Sequence, residues 1–181
     1  MIHMGKIITI GREFGSGGRE VGKRLSDELG IAYYDNEIIT EIAKITELAE
    51  GYVGAEPVME QNNAIYREQS LLVQELAEKS DCVIVGRSAD YILRDKNPLR
   101  LFIYADMESR MERCRKRAPE QEHFTDKELR RHIQDVDKRR SKYYQFFTGQ
   151  TWGEKLNYDL CINTSGANIE DLVKVIAKLV K

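Results

Sequence analysis

Three glycines within four residues, Gly15, Gly17 and Gly18, stand between Arg12 and Arg19 in the stretch IITIGREFGSGGR, residues 7–19. Glycine admits positive φ and lets backbone N–H groups approach an anion closely, while guanidinium binds phosphate oxygens in pairs. Placed between an apolar run and a helical pattern, such a turn is suited to cradling phosphates at a helix N-terminus. The common phosphate loop, G-x-x-x-x-G-K-S/T, ends in a lysine and a hydroxyl. A literal lysine match runs from Gly17 to Lys23, but it needs a loop at Val21. Val21, Leu25 and Leu29 recur every four residues as the apolar stripe of the next helix, and Lys23 would lie inside that helix. The better register makes Gly15, Ser16, Gly17 and Gly18 the turn. Gly18 then takes the lysine position, Arg19 the one after it, and Glu20 the threonine position. Arg12 and Arg19 are the two candidates for the missing cation.

Two later helical segments carry further positive charge. Arg110, Arg113 and Arg117 share a helix face by their spacing, which suits either a phosphate-facing row or a solvated face balanced by Glu108 and Glu112. Leu129, Ile133, Val136, Arg140, Tyr143 and Phe147 form one stripe. An arginine on the buried side of a helix needs an anionic partner, either a salt bridge or a bound phosphate. Arg130, Arg131, Arg139 and Lys142 read as solvated charge. The aromatic cluster YYQFF with Trp152 reads as core or an oligomer contact rather than a base-stacking platform. His123 and His132 have no spacing partners for metal or nucleophilic work.

The elements that would position these residues alternate. Ile7–Ile10, Ala32–Tyr34, Cys82–Val85, Leu99–Tyr104 and Leu160–Ile162 read as short apolar strands. Helical patterns follow Gly18 and Asp35, with Asp35 or Asn36 as N-cap and Gly30 as C-cap of the preceding helix. Others are expected over 60–79, 107–117, 125–147 and 169–180. Strands alternating with helices predict an α/β fold with a parallel sheet covered on both faces. Ligands of such sheets bind at the carboxyl ends of the strands. That edge carries the glycine turn, Asp35, and the pair Gly86-Arg87.

Bulk properties narrow the classes. The 181 residues suffice for one domain, and 28 basic against 30 acidic residues suggest neither nucleic acid nor a membrane surface as partner. No apolar run approaches membrane-span length and the N-terminus lacks a signal-peptide core, so a cytoplasmic protein is expected. Cys82, Cys114 and Cys161 lack metal-site spacing and read as small buried hydrophobes.

Taken together, ITIGREFGSGGREVGKRLSDELGIAYYDNEII, CVIVGRSADYIL, LRLFIYADMESRMERCRKR and IQDVDKRRSKYY resemble the cytidylate-kinase-like family, relatives of the P-loop nucleoside monophosphate kinases. The resemblance covers nearly the whole chain and is weakest over 46–80. It implies a single three-layer P-loop NTPase domain over 1–181, with a five-stranded parallel sheet, a helical monophosphate-binding insert near 36–80 and a lid near 117–132. It implies transfer of the γ-phosphoryl group of ATP, with Mg²⁺, to CMP, dCMP or a related acceptor, small nucleotides being the partners.

By the same resemblance Arg12 and Gly15 to Glu20 hold the ATP phosphates. Arg87 falls on an arginine that holds the acceptor phosphate, and Asp35 on the acid that opens the monophosphate site. Asp135 and Asp137 match two substrate-binding acids. Lys138 and Arg140 match basic residues around the transferring phosphate, over which Arg113 and Arg117 would close, while Arg19 would act as the lysine surrogate. The chain departs from the family pattern in lacking the loop lysine and its hydroxyl, and in carrying Val85 where an acid precedes Gly-Arg. Glu13, Glu20, Asp35 or Asp90 could serve Mg²⁺ instead. Two alternatives stay open: a non-catalytic nucleotide-binding regulator with a degenerate loop, and a kinase for another small phosphate acceptor.

Overall fold

In the computed structural model, residues 6–50, 58–117 and 123–180 are described, with the backbone alone at 43, 45–50 and 58–62. Short, largely apolar strands, buried on both faces at the centre and more exposed at the edges, assemble β1 (Ile7–Arg12), β2 (Ala32–Tyr34), β3 (Cys82–Val85), β4 (Leu99–Tyr104) and β5 (Leu160–Asn163) into one sheet of order β2-β3-β1-β4-β5. Every pairing is parallel. Because strand side chains alternate, Ile8, Ile10, Val83 and Val85 pack on one face against Val21 and Leu25 of α1 (Gly18–Leu29) and Val173 and Ile176 of α7 (Ile169–Val180). Ile7, Cys82 and Ile84 pack on the other against α2 (Asn36–Glu50), α3 (Val58–Lys79) and the short α4 (Ala89–Ile92). This makes the three-layer P-loop fold.

A third, smaller cluster joins α5 (Met107–Arg117) to α6 (Asp126–Thr148). Met111, Leu129 and Ile133 are buried there, with Phe14 and Cys114 packed against them. This cluster lies directly beneath the glycine turn. α6 begins with a capping box in which Thr125 and Glu128 satisfy each other's backbone amides.

β1 extends beyond Ile10 because Gly11 and Arg12 pair with Phe102 and Ile103 of β4. α4, only four residues long, was not expected from periodicity. Cys161 is exposed rather than buried, since β5 is an edge strand. The segments read as insert and lid include α2, α3 and the start of α6, while residues 51–57 and 118–122 lie outside the described residues.

Candidate active site

The glycine turn joins β1 to α1. Gly15 and Gly17 adopt φ of 77° and 86°, a region L side chains avoid. Gly17 caps α1 without any side-chain hydrogen bond, so the first-turn amides of the helix are left for another acceptor. Val21 and Leu25 are fully buried against the sheet, and Lys23 pairs on the surface with Asp27. The glycine match at Lys23 is thus a helical coincidence.

The turn is held from below by groups distant in sequence. Phe14 N donates to Asp137 Oδ1 at 2.8 Å, and Phe14 O accepts from Arg110 Nε at 2.8 Å. Thr164 Oγ1 donates to Ser16 O at 2.6 Å, and Arg113 Nη1 donates to the same oxygen at 3.2 Å. Arg113 Nη2 also reaches Thr164 O, at 2.6 Å. Arg110 is 6% exposed and ion-paired to both Asp137 and Glu13. The solvated face balanced by Glu108 and Glu112 does not exist at Arg110. Burial pushes the Glu13 carboxyl up, against the pull of the Ala105 amide and Arg110.

Two cavities flank this framework. The first, about 440 Å³, is lined by the turn, with Arg19, Asp35, Arg113, Arg117 and His132 around it. The second, about 270 Å³, is lined by Arg87, Arg139, Asp90, Tyr143, Tyr144 and Trp152, among others. Arg12, Asn36 and Arg140 line both. The two cavities therefore meet across a pair of arginines.

The expected residues divide on this geometry. Arg12, Gly15, Gly17, Gly18, Arg19, Asp35, Arg113, Arg117 and Arg140 line the first cavity, and Arg87 the second. Ser16 is fully buried, its hydroxyl donating to Glu13 O at 2.7 Å. Glu20 is taken up by ion pairs with Arg24 and Arg117. Asp137 lines neither cavity because its carboxylate faces Phe14 N and Arg110. Lys138 and Asp135 are exposed and line neither. Helical turning of about 100° per residue puts them roughly 200° and 140° around α6 from Arg140.

Charge is also unevenly matched. Arg19 Nε lies 2.9 Å from Asp35 and its Nη2 2.9 Å from Glu37, and the Glu37 bond foremost holds it firmly protonated. Asp35 caps α2 through the amides of Glu37 and Ile38 at 3.0 and 3.1 Å. Burial pushes its carboxyl up, but those amides and Arg19 outweigh it and leave the group below the usual carboxylate range. Arg12, by contrast, is depressed to about 9 by burial and by the nearby charges of Arg140 and Arg87. Burial likewise lowers Arg140, whose Nη1 donates to Arg12 O at 3.1 Å.

Arg87 is fixed by two helices, donating to Gln69 of α3 at 3.0 Å and Thr40 of α2 at 2.8 Å. Its buried Nε has no hydrogen-bond partner among the described residues. Arg87 and Ser88 have φ of 56° and 54°, strain of the kind that persists where an arrangement of side chains depends on it. Asp90 is 7% exposed, raised by burial, and accepts from Tyr144 Oη at 2.6 Å. The sequence makes the aromatic wall of the second cavity core or an oligomer contact. That reading suits Phe147, stacked on Tyr66 at 4.1 Å, but Tyr143, Tyr144 and Trp152 open onto the cavity. The signal was the cluster itself, whose members point different ways once α6 is docked.

Compared with known proteins, residues 7–166 match the cytidylate kinase-like family. The crystal structure of an uncharacterized protein from Eubacterium ventriosum is similar at 31% identity, covering 97% of this chain and 98% of that one, with a TM-score of 0.80. A shikimate kinase from Bacteroides thetaiotaomicron aligns at 18% identity over 96% of this chain and 97% of its own, TM-score 0.60. A gluconokinase from Sinorhizobium meliloti aligns at 15% over 99% and 95%, TM-score 0.55. These last two share the fold. None of the curated proteins matches the chain.

Proposed function

The chain belongs to the cytidylate kinase-like family, and on that footing we propose that it is an ATP-dependent kinase acting on CMP, dCMP or a related small phosphate acceptor. The observation that carries this reading is the meeting of two cavities at Arg12 and Arg140. One is floored by a glycine turn with uncapped helix amides, and the other combines arginines with an aromatic wall. Donor phosphates fit over Gly15–Gly18, where backbone N–H groups and the helix dipole favour anions. Arg113 and Arg117 flank that position. Arg87 and Arg140 suit the acceptor phosphate, and Tyr143 and Trp152 offer surfaces for a base. The insert near 36–80 would bring Thr40 and Gln69, which aim Arg87, and the lid near 117–132 would bring Phe124 and Leu129 to the first cavity.

Phosphoryl transfer depends on alignment and positive charge more than on covalent help from the protein. The strapped turn supplies the alignment, and the arginines supply the charge, Arg12 and Arg140 from part-buried positions. Mg²⁺ does not meet a ready cage. Glu13, Glu20 and Asp35 are each engaged by arginine or backbone amides, and among the described residues no group of three or more His, Cys, Asp or Glu could hold a metal. Mg²⁺ would then be held by the nucleotide phosphates rather than by these side chains and would supply charge neutralisation there.

A second reading, a non-catalytic nucleotide-binding regulator, is favoured by one observation: Glu20, in place of the hydroxyl, is tied to Arg24 and Arg117. ADP release from ATP and Mg²⁺, measured across nucleoside monophosphates and other small phosphate acceptors, separates the readings. Turnover with CMP or dCMP is the expected result. ATP binding with no turnover on any acceptor would overturn the kinase reading in favour of the regulator. The near balance of charge supports small nucleotides rather than nucleic acid or a membrane as partners. No described helix is long and apolar enough to cross a membrane, and a cytoplasmic setting belongs to the same proposal.

A further inference from the structure

Two glycines on different elements clear the path of one side chain. Arg12 leaves the end of β1 and its stem crosses Gly18, where a Cβ would sit 2.4 Å from Arg12 Cβ and 2.8 Å from its Cγ. Its head reaches the end of β3, where a Cβ on Gly86 would sit 2.7 Å from Arg12 Nη1. Any side chain at position 18, lysine included, would collide with this stem. Because the nearest clash is with Cβ, a lysine at position 18 and a side chain at position 12 exclude one another on this backbone.

The head of Arg12 lies where the two cavities join. Among the described residues no hydrogen bond or ion pair reaches its guanidinium, although all the turn's other cations are engaged. Arg19 holds Asp35 and Glu37, Arg113 holds Thr164 and Ser16 O, and Arg117 holds Glu20. Facing Arg12 are Arg140 from α6 and Arg87 after β3, which repel it, and Tyr33 and Asp35 from the β2 edge, which attract it, the repulsion from Arg140 being the strongest of the four. Arg87 Nε is buried with no hydrogen-bond partner among the described residues. Three guanidinium groups gathered with no ion pair to a carboxylate among the described residues make a site for a multiply charged anion.

We propose that Arg12, not Arg19, replaces the phosphate-loop lysine, its guanidinium holding the phosphoryl group as it crosses from the first cavity to the second. The proposal rests on the kinase reading. In the step concerned, the bond between the γ-phosphorus and its bridging oxygen breaks, and the electron pair stays with the departing ADP. An oxygen of the acceptor phosphomonoester forms the new P–O bond. Arg12 remains protonated throughout and exchanges no proton.

The test is calorimetric binding of ATP and of pyrophosphate to the full chain without metal, with thermal melting in parallel. Arg12→Met is expected to weaken both ligands at least 30-fold and at least tenfold more than Arg19→Met does. Its melting temperature without ligand should be unchanged or raised, because burial and repulsion are relieved. Arg12→Lys should recover part of the affinity, and Arg130→Met, on the exposed side of α6, should bind like the parent. The double variant R12G/G18K should bind more tightly than R12G alone. Binding by Arg12→Met within threefold of the parent would overturn the proposal and leave the kinase reading standing. A melting temperature lowered by several degrees without ligand, unrelieved by lysine, would show a structural role and overturn it too. Equal binding by R12G and R12G/G18K would refute the shared space. A parent protein that binds neither ATP nor pyrophosphate would instead remove the kinase reading itself.

Discussion

The two sides of the glycine turn treat positive charge in opposite ways. Beneath and beside the turn, Arg110, Arg113, Arg117 and Arg19 each have carboxylates or carbonyls of the protein as partners. Across the junction with the second cavity, Arg12, Arg87 and Arg140 crowd together, Arg87 and Arg140 with neutral partners alone and none with an ion pair among the described residues, and the acid lining that cavity, Asp90, is itself pushed towards its neutral form. A cation engaged by the chain orders the chain. A cation left without compensation is unfavourable until an anion arrives, and such groups mark the place where stability has been given up for binding. The comparison separates the arginines that build the phosphate loop from those that serve its ligand.

The separation can be broken from either side. The largest effect is expected from Arg110→Ala, which strands Asp137 and Glu13 at part-buried positions. It should cost about 3–5 kcal/mol in urea unfolding, whatever its effect on activity. Arg140→Met should do the reverse, lowering kcat/KM for the acceptor by about 10²–10³-fold while leaving the urea midpoint unchanged or higher. If Arg140→Met proved as destabilising as Arg110→Ala, the division would collapse. Gly15→Ala should cost about 1–3 kcal/mol, since the backbone there has φ of 77° and a Cβ would meet Arg110 O at 2.9 Å.

The smallest effect sharpens the comparison through pH. Asp35→Asn keeps an N-cap acceptor but removes the charge facing Arg19, and should lose about 1 kcal/mol at pH 7. The folded carboxyl titrates below its unfolded value, so its stabilisation is complete above about pH 4 and fades as pH falls through the folded value. Urea midpoints of parent and variant should converge at the acid end. A gap that stayed constant to the lowest pH would show that the cap, not the charge, is what Asp35 contributes.

Much of the fold was legible because its signals are local. Short apolar runs, the Val21–Leu25–Leu29 stripe and the Gly30 stop are each contained within a few residues, and the sheet and α1 follow them. The register of the turn was legible for the same reason, since a periodic stripe excludes a loop at Val21. What failed were readings of partnership. Arg110 suits by its spacing either a phosphate-facing row or a solvated face, yet it reaches Asp137 and Glu13 from elements far away in the chain. Asp135 and Lys138 lay within the motif that points to the acceptor, but the docking angle of α6 admits Arg140 and turns them outward.

The sequence by itself determined the strand–helix alternation, the place of the phosphate turn and the stock of cations around it, because these rest on residue type and near-neighbour spacing. Only the tertiary structure decided which cations are neutralised and which are left bare. Whether Arg19 or Arg12 serves an anion depends on where Asp35, Glu37, Gly18 and Gly86 come to lie. A pairing energy falls so steeply with distance and with exposure to water that no spacing along the chain can stand in for it.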